Sequence, residues 1–277
     1  MSLIEVSHVS KEYEVVVPRP GVRNVLKNIF RPDKEKVRAV SDISFNIEAG
    51  ELVGVIGENG AGKSSTIKMM SGILFPTAGS ITVAGLCPYR NREENAGNIG
   101  VVFGQRSRLN WDLPMMDSFE LYKEIYQIDP AVFRKNVERF VEMLHMQEFS
   151  RTPVRQLSLG QRMKAEVALS LLHEPPILYL DEPTIGLDVM AKQQIREFIR
   201  ERNRLEGTTA ILTSHDTKDL DCVCRRMIVL AGGHIIFDGS IERFKQEHTR
   251  EGVRDMEDMV RGIYEENSHT EEGGGVT

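Results

Sequence analysis

Residues 57–64 read Gly-Glu-Asn-Gly-Ala-Gly-Lys-Ser, and this stretch matches the pattern G-x-x-x-x-G-K-[ST] of a phosphate-binding loop. It directly follows the apolar run Leu52–Ile56, a predicted buried strand, and leads into a predicted helix over Ser64–Met70. The glycines let the backbone curl so that successive N–H groups point at phosphate oxygens, and the helix adds the positive end of its dipole. The alternative is a glycine-rich turn that happens to contain Lys-Ser, and the strand–loop–helix setting argues against it.

The residue types at the end of this loop predict what it holds. Lys63 can bridge the β- and γ-phosphates of a nucleotide, and the Ser64 hydroxyl can ligate Mg²⁺. The predicted nucleotide-binding residues of the loop are Gly57, Glu58, Asn59, Gly60, Ala61, Gly62, Lys63, Ser64 and Ser65.

A second motif follows the Walker B pattern, in which the apolar run Ile177–Leu180 ends in Asp181 and Glu182. Adjacent carboxylates at a strand end point in different directions, so they can hold different roles. Asp181 can support Mg²⁺ through water, while Glu182 can face the γ-phosphate and polarise the attacking water. Alone, the pair would be an unremarkable acidic turn, but a phosphate-binding loop in the same chain favours the functional interpretation.

The remaining pattern predicts an α/β fold with a mostly parallel sheet flanked by helices. The predicted strands are Ser2–Val6, Ala39–Ile47, Leu52–Ile56, Ser80–Val83, Ile99–Phe103, Ile177–Leu180, Thr209–Thr213, Met227–Leu230 and His234–Phe237. Apolar residues between 117 and 149 recur at helical spacing, which predicts two helices joined near Asp129-Pro130. The polar, glycine-rich stretch Glu265–Thr277 is predicted to be disordered.

The overall composition excludes some functions. The chain has 277 residues and a net charge of -6, and the acidic balance argues against a general nucleic-acid-binding surface. No stretch of about 18 apolar residues occurs, so the chain is not expected to span a bilayer by itself. No internal repeat is seen, which predicts one nucleotide-binding unit.

Further motifs, in a fixed order, carry a family resemblance. Residues 157–161, Leu-Ser-Leu-Gly-Gln, resemble the signature motif LSGGQ, and Gln105 resembles the Q-loop glutamine. Residues 183–188, Pro-Thr-Ile-Gly-Leu-Asp, resemble the D-loop, and His215 in Thr-Ser-His-Asp resembles the H-switch. Each motif is weak alone, but together with Walker B their order makes chance negligible. The chain is thus similar to the ATP-binding subunits of ABC transporters.

The resemblance covers residues 1–245 and implies a P-loop NTPase core with an antiparallel β-subdomain and an inserted α-helical subdomain. The two predicted helices fall within the helical subdomain expected at about 106–160. Residues 246–277 are then expected to form a C-terminal helix and a disordered tail.

The resemblance also implies a mechanism that uses ATP and Mg²⁺. Family members dimerise head to tail, so Ser158, Gly160 and Gln161 would contact the γ-phosphate bound by a second ATPase subunit. Gln105 would sense Mg²⁺ and the attacking water, and His215 would hold the γ-phosphate. The implied catalytic residues are Lys63, Gln105, Glu182 and His215, and the implied Mg²⁺ ligands are Ser64, Gln105 and Asp181.

Two residues depart from the family pattern. Leu159 stands in the signature motif where glycine is usual, which puts a tight backbone approach there in question. Gly186 stands in the D-loop where many relatives carry alanine or a small polar residue, a difference that would affect communication between paired sites.

A basic insertion near the N-terminus is predicted over residues 18–37. Tyr13 is placed like the aromatic residue that stacks on adenine in the family, but the insertion lengthens its distance to Gly57. Within the insertion one apolar helical stripe is formed by Val22, Val25, Leu26, Ile29 and Phe30. A basic amphipathic helix suits an anionic membrane surface or a membrane subunit; equally, it suits packing on the chain's own β-subdomain.

The stretch after Gln105 carries Trp111, Met115 and Met116. In the family this region helps to form the groove that receives a transmembrane subunit, and adaptable apolar side chains suit such a contact. They equally suit the core of the helical subdomain.

We therefore expect an ATP-hydrolysing subunit that dimerises around ATP with itself or a paralogue and drives a separate exporter. The resemblance implies ABC-2-type transmembrane subunits, a drug, lipid or polysaccharide-like cargo, and a cytoplasmic, peripheral place on the inner face of the cell membrane. Import, a soluble ABC ATPase acting on ribosomes or DNA, and a module that binds ATP without hydrolysis are the alternatives.

Overall fold

A computed structural model describes residues 2–17, 33–104, 106–249 and 255–273. Its centre is a six-stranded sheet in the order β5-β6-β7-β3-β8-β9, in which only the last pair is antiparallel. The strands are β3 (Leu52–Gly57), β5 (Ile99–Phe103), β6 (Ile177–Asp181), β7 (Thr209–Ser214), β8 (Arg226–Ala231) and β9 (His234–Ser240). The predicted mostly parallel sheet is confirmed, and β3, β6 and β7 lie side by side, so their carboxyl ends meet at one edge.

A second, antiparallel sheet has the order β2-β1-β4. Its strands are β1 (Ser2–Val17), β2 (Asp33–Glu48) and β4 (Ala78–Val83). The predicted strand ends at Val6 and Ala39 are wrong, because β1 and β2 continue as a long ribbon. Ion pairs join the strands of this ribbon, with Arg38 on Glu12 at 2.9 Å and Lys34 on Glu14 at 2.7 Å. The apolar side chains of the ribbon, such as Val15, Val16 and Val37, are exposed and lie outside both hydrophobic cores, so no buried face marks these strand ends in the sequence.

The ribbon also shortens the predicted basic insertion. Residues 33–37 belong to β2, so they are strand and not part of an inserted helix. The amphipathic stripe from Val22 to Phe30 lies outside the described residues.

Helices cover the sheets and form the region between β5 and β6. They are α1 (Lys63–Met70), α2 (Arg92–Asn98), α3 (Met115–Ile125), α4 (Pro130–Met143), α5 (Leu159–Leu171), α6 (Val189–Glu206), α7 (Thr217–Val223), α8 (Ile241–His248) and α9 (Met256–Gly273). The two helices predicted to join near Asp129-Pro130 are α3 and α4. Asp129 accepts hydrogen bonds from the first amides of α4, and Pro130 occupies the first helical turn, where it needs no donor.

The central sheet separates two hydrophobic cores. Along β6, Leu178 and Leu180 face the core shared with α3 to α7, whereas Ile177 and Tyr179 face the core beneath the antiparallel sheet and α1. Burial on both faces explains why this strand is a continuous apolar run and not an alternating one.

The C-terminal helix α9 runs further than the sequence indicated. Met256, Val260 and Ile263, spaced four and three residues apart, are buried in the first core and anchor the helix. The helix continues to Gly273, so the prediction of disorder from Glu265 onward is wrong for residues 265–273. Within the described ranges no helix combines the length and the apolar character needed to cross a membrane.

Candidate nucleotide site

The loop between β3 and α1 forms a cradle in which close contacts require two of the three glycines. Gly62 caps α1 with φ of 101°, and a Cβ there would lie 2.5 Å from the Ala39 carbonyl oxygen. A Cβ on Gly57 would lie 2.7 Å from the Leu230 carbonyl oxygen. Gly60, with φ of 90°, faces open space. Gly57 and Gly62 therefore press against the protein, whereas Gly60 lies on the free surface that the cradle turns outward.

A cavity of about 570 Å³ adjoins this cradle, a volume typical of small-molecule sites. Its lining includes the loop residues Glu58, Asn59, Gly60, Ala61, Gly62, Lys63, Ser64 and Ser65, together with Asp181 and Glu182. The structure thus brings the two sequence motifs, 119 residues apart between Lys63 and Glu182, to one site.

Lys63 is buried, with 5% of its side chain exposed. Its Nζ donates to the carbonyl oxygens of Gly57 at 2.6 Å and Glu58 at 3.1 Å, and lies 3.9 Å from Glu182 Oε1. Burial lowers the pKa of Lys63, and the nearby carboxylates of Glu182 and Asp181 oppose this by raising the pKa. Such a partly desolvated cation is suited to binding a polyanion.

Asp181 sits at the end of β6 beside two hydroxyl groups. Its Oδ1 accepts from Ser64 Oγ at 3.0 Å and from Thr213 Oγ1 at 2.7 Å. An adjacent hydroxyl and carboxylate, both oxygen donors, fit the preference of Mg²⁺ for hard ligands. Ser64 and Asp181, two predicted Mg²⁺ ligands, are therefore within reach of one ion.

Glu182 lies between Lys63 and His215. Its Oε1 is 3.9 Å from Lys63 Nζ and 3.7 Å from His215 Nδ1. Its φ of 53° is a left-handed conformation that is rare outside glycine and is often found at functional sites. The Glu182 amide donates to Thr213 Oγ1 at 3.0 Å, which helps to fix this turn. A second cavity, beside the first, is lined by Glu182, His215 and the start of the phosphate loop.

The signature residues do not line either of these cavities. Ser158 is the N-cap of α5 in a reciprocal capping box: its hydroxyl accepts from the Gln161 amide at 3.2 Å, and the Gln161 side chain accepts from the Ser158 amide at 2.9 Å. A Cβ on Gly160 would lie 3.0 Å from that of Ala191 on α6. The two residues that depart from the family pattern meet here, because a Cβ on Gly186 would lie 3.1 Å from Leu159 Cδ2.

Tyr13 lies beside the phosphate loop, with its hydroxyl 3.2 Å from Ser65 Oγ. Tyr13 itself is not among the residues that line the cavity, but Val37, Arg38 and Ile73, which the sequence did not single out, are. Val37 is the cross-strand partner of Tyr13, so the antiparallel register alone brings it there. Gln105 is outside the described residues, but Gly104 and Arg106 on either side of it line the cavity.

The apolar side chains after Gln105 have different surroundings. Met115 is fully buried in the core, whereas Trp111 is 51% exposed and lies under the Arg162 guanidinium, 5.2 Å from the ring centroid. Met116 is partly buried against the core. On the neighbouring helix α3, Leu121 and Ile125 are exposed. Among Trp111, Met115 and Met116, only Trp111 has a largely exposed side chain that is free for an external contact.

The fold and site together define a P-loop ATPase domain. Residues 40–185 match the ABC transporter family. The chain is 32% identical over 236 residues to the ABC transporter ATP-binding protein NatA of Bacillus subtilis, a match that covers 84% of this chain and 96% of NatA. The chain therefore belongs to the ABC transporter family, and it is an ATP-hydrolysing ABC subunit of a transporter.

Further relatives and one solved structure are also similar to this chain. The chain is 34% identical to Nod factor export ATP-binding protein I of Neorhizobium galegae, covering 72% of this chain and 57% of that one. It spans only 16% of the human ATP-binding cassette sub-family A member 10, at 32% identity over 88% of this chain. A solved dimeric structure of the post-hydrolysis ATP-binding cassette MJ0796 with ADP and Pi has the same fold, with a TM-score of 0.71, 23% identity, and coverage of 86% of this chain and 98% of that one.

Proposed function

We propose that this chain pairs head to tail with a second ATPase subunit, closes around ATP, and drives a separate transmembrane exporter. The observation that supports this proposal is that the phosphate-binding residues and the signature residues lie at separate places in one chain. The phosphate cradle, Lys63, Asp181 and Glu182 converge on one cavity, while Ser158 and Gln161 stand outside it at an exposed helix start. A signature motif that lies outside the cavity of its own chain is suited to serve that of a partner.

In the proposed site each group has a task set by its surroundings. Lys63 and the loop amides hold the phosphates of ATP, and the Tyr13 ring stacks on adenine beside the wall formed by Val37. Glu182 accepts a proton from the attacking water, and His215, within 3.7 Å of that carboxylate, holds the γ-phosphate.

Mg²⁺ would be held by Ser64 and Asp181, with Gln105 as the further predicted ligand, and when bound it would neutralise charge on the phosphates. From the partner, Ser158, Gly160 and Gln161 complete the contacts at the start of α5, where the helix dipole favours an anion.

A mixing experiment tests the composite site. Ser158→Arg blocks the signature and Glu182→Gln disables the base, so each variant alone should be nearly inactive. Co-expressed with two tags, the mixed dimer has one intact site, built from the Walker residues of the first chain and the signature of the second. Activity of the unselected mixture should return to about a quarter of the wild-type rate, since half the dimers are mixed and each has one working site. Activity no greater than that of the separate variants would contradict the head-to-tail pairing.

The export direction rests on the relative named for Nod factor export, and the membrane partner on exposed apolar side chains near α3. Trp111, Leu121 and Ile125 are 51%, 48% and 61% exposed, which suits docking of an ABC-2-type transmembrane subunit at the inner membrane face. The cargo class proposed is a drug, lipid or polysaccharide-like molecule.

Replacing both Leu121 and Ile125 by Gln should lower recovery of the membrane subunit from native membranes while leaving the isolated ATPase rate unchanged. Leu205→Gln is the matched control, because Leu205 is 50% exposed on α6, outside this patch. Recovery of the wild-type chain with ribosomes and no membrane protein would contradict the transporter partner.

A further inference from the structure

A buried carboxylate on α7 joins two loops of the active site. Asp219 is 1% exposed, and both of its oxygens are occupied. Its Oδ2 accepts hydrogen bonds from the hydroxyl groups of Thr184 and Ser214, the latter at 3.1 Å. Its Oδ1 accepts from the guanidinium of Arg196 on α6, with Nε at 2.8 Å. Asp219 thus collects donors from three different segments.

The positions of the two hydroxyl groups in the chain give this cluster its meaning. Thr184 lies two residues after Glu182 in the D-loop, and Ser214 directly precedes His215 at the end of β7. A single carboxylate oxygen therefore ties the segment that carries Glu182 to the segment that carries His215. Thr184 and Ser214 are themselves 4% and 3% exposed, so their hydrogen bonds to Asp219 are shielded from water.

A buried charge with unsatisfied oxygens is costly, which makes this arrangement demanding. A carboxylate that is shielded from water needs a counter-charge and enough hydrogen-bond donors. Here Arg196 supplies the counter-charge, and the hydroxyl groups of Thr184 and Ser214 supply the remaining donors. Loss of one hydroxyl leaves Oδ2 short of a donor and removes the link on that side.

We propose that Asp219 is a positioning residue for ATP hydrolysis, which fixes the D-loop against the H-switch so that Glu182 and His215 keep their relative placement. The two side chains are 3.7 Å apart, and Glu182 holds a left-handed backbone conformation that its surroundings must maintain. Asp219 touches neither the cradle nor the cavity beside it, whose lining comes from other segments. Loosening the tie should therefore slow the chemical step and leave ATP binding unchanged.

Thr184 offers the sharpest test, because Thr184→Val removes the hydroxyl at nearly constant shape and Thr184→Ser retains it. We expect Thr184→Val to lower kcat about tenfold with the KM for ATP within about twofold of wild type. Thr184→Ser should keep kcat within about twofold of wild type. Ser170→Ala is the matched control: the Ser170 hydroxyl is equally buried, but it bonds only within α5, to the Val167 carbonyl oxygen at 2.7 Å.

The melting temperature of each variant separates positioning from a merely structural role. A Thr184→Val protein that melts like Ser170→Ala but has a much lower kcat supports the proposal. A wild-type kcat in Thr184→Val, or a raised KM with kcat unchanged, would overturn it. Loss of kcat to the same degree in Ser170→Ala, in proportion to lost stability, would overturn it as well. Asp219→Asn would also leave Arg196 without its counter-charge. The test therefore uses the two Thr184 variants instead of a variant of Asp219.

Discussion

The Walker region and the signature region are built in opposite ways. Around Lys63 and Asp181, polar groups are buried or half-buried and hydrogen-bonded to one another across β3, β6 and β7. At the start of α5, Ser158 is exposed and Gln161 is half-buried, and their side chains satisfy only each other's backbone. The comparison teaches that the phosphate cradle is assembled inside the chain from several strands, whereas the start of α5 lies at the surface outside that cradle, as the proposed pairing requires.

The segment after Gln105 connects the two regions. The Oε1 of Glu166, a buried residue of α5, accepts from the Arg108 amide at 2.8 Å and from the Leu109 amide at 3.2 Å. Arg155, just before the signature, pairs with Asp112 at 2.9 Å. Since Arg106 at the start of this segment lines the nucleotide cavity, the signature helix is tied to the cavity wall of its own chain.

The largest expected effect breaks the Walker half alone. Glu182→Gln keeps the size of the side chain but removes the proton acceptor, so kcat should fall at least about 100-fold while ATP still binds. Steady-state hydrolysis and nucleotide binding measured on the same preparation check this. Turnover at the wild-type rate would refute the assignment of Glu182 as the base.

The stability of the protein is expected to depend on pH through His173, which lies where the helical region meets the central sheet. His173 stacks on Tyr126, with ring centroids 4.2 Å apart, and its Nε2 lies 3.2 Å from the Ile99 carbonyl oxygen. Burial, with a smaller contribution from the charge of Arg108, lowers the pKa of His173 from 6.5 to about 4. Between these values the unfolded chain takes up a proton that the folded chain refuses, so stability falls as the pH falls.

This residue should remove up to about 3 kcal/mol from the free energy of unfolding between about pH 6.5 and pH 4. His173→Phe keeps an aromatic ring against Tyr126 but cannot titrate, so that part of the acid dependence should disappear. Denaturant unfolding of both proteins across this range measures the difference. Parallel curves for the two proteins would show that His173 is not the responsible group.

A smaller effect separates capping from catalysis in the signature half. Ser158→Ala removes the cap of α5 and should cost about 1 kcal/mol of stability. Ser240→Ala removes the same kind of cap from α8, outside the site, and should cost a similar amount. Hydrolysis should drop only in Ser158→Ala, and equal hydrolysis by the two variants would mean that Ser158 serves the helix alone.

The smallest effect concerns the contact between Leu159 and Gly186. Alanine at Gly186 meets both a positive φ of 71° and the Leu159 side chain at 3.1 Å. In a Leu159→Ala background the contact with the Leu159 side chain is absent. The loss of unfolding free energy caused by Gly186→Ala should then be about 0.5 kcal/mol smaller than in the wild-type background. A double-mutant cycle of unfolding free energies measures this coupling, and strict additivity would show that the two residues are independent.

Local patterns were enough to predict much of the fold. The apolar runs at Leu52–Ile56 and Ile177–Leu180 correspond to β3 and β6, since strands buried on both faces need continuous apolar residues. The ends of β1 and β2 were not predicted because that part of the ribbon lies outside both cores, where exposed ion pairs join the strands and no buried face produces a pattern. The continuation of α9 to Gly273 was missed because polar composition conceals a helix whose anchor residues precede it.

The sequence by itself determined where the phosphate loop and the acidic strand end lie in the chain, because each is encoded by adjacent residues. It also determined that the motifs belong to an ABC ATPase. Only the tertiary structure decided which distant groups support them: Thr213 on Asp181, Val37 opposite Tyr13, and Asp219 between Thr184 and Ser214. These contacts join residues from different strands and helices, and their geometry exists only once the sheet has brought those elements side by side.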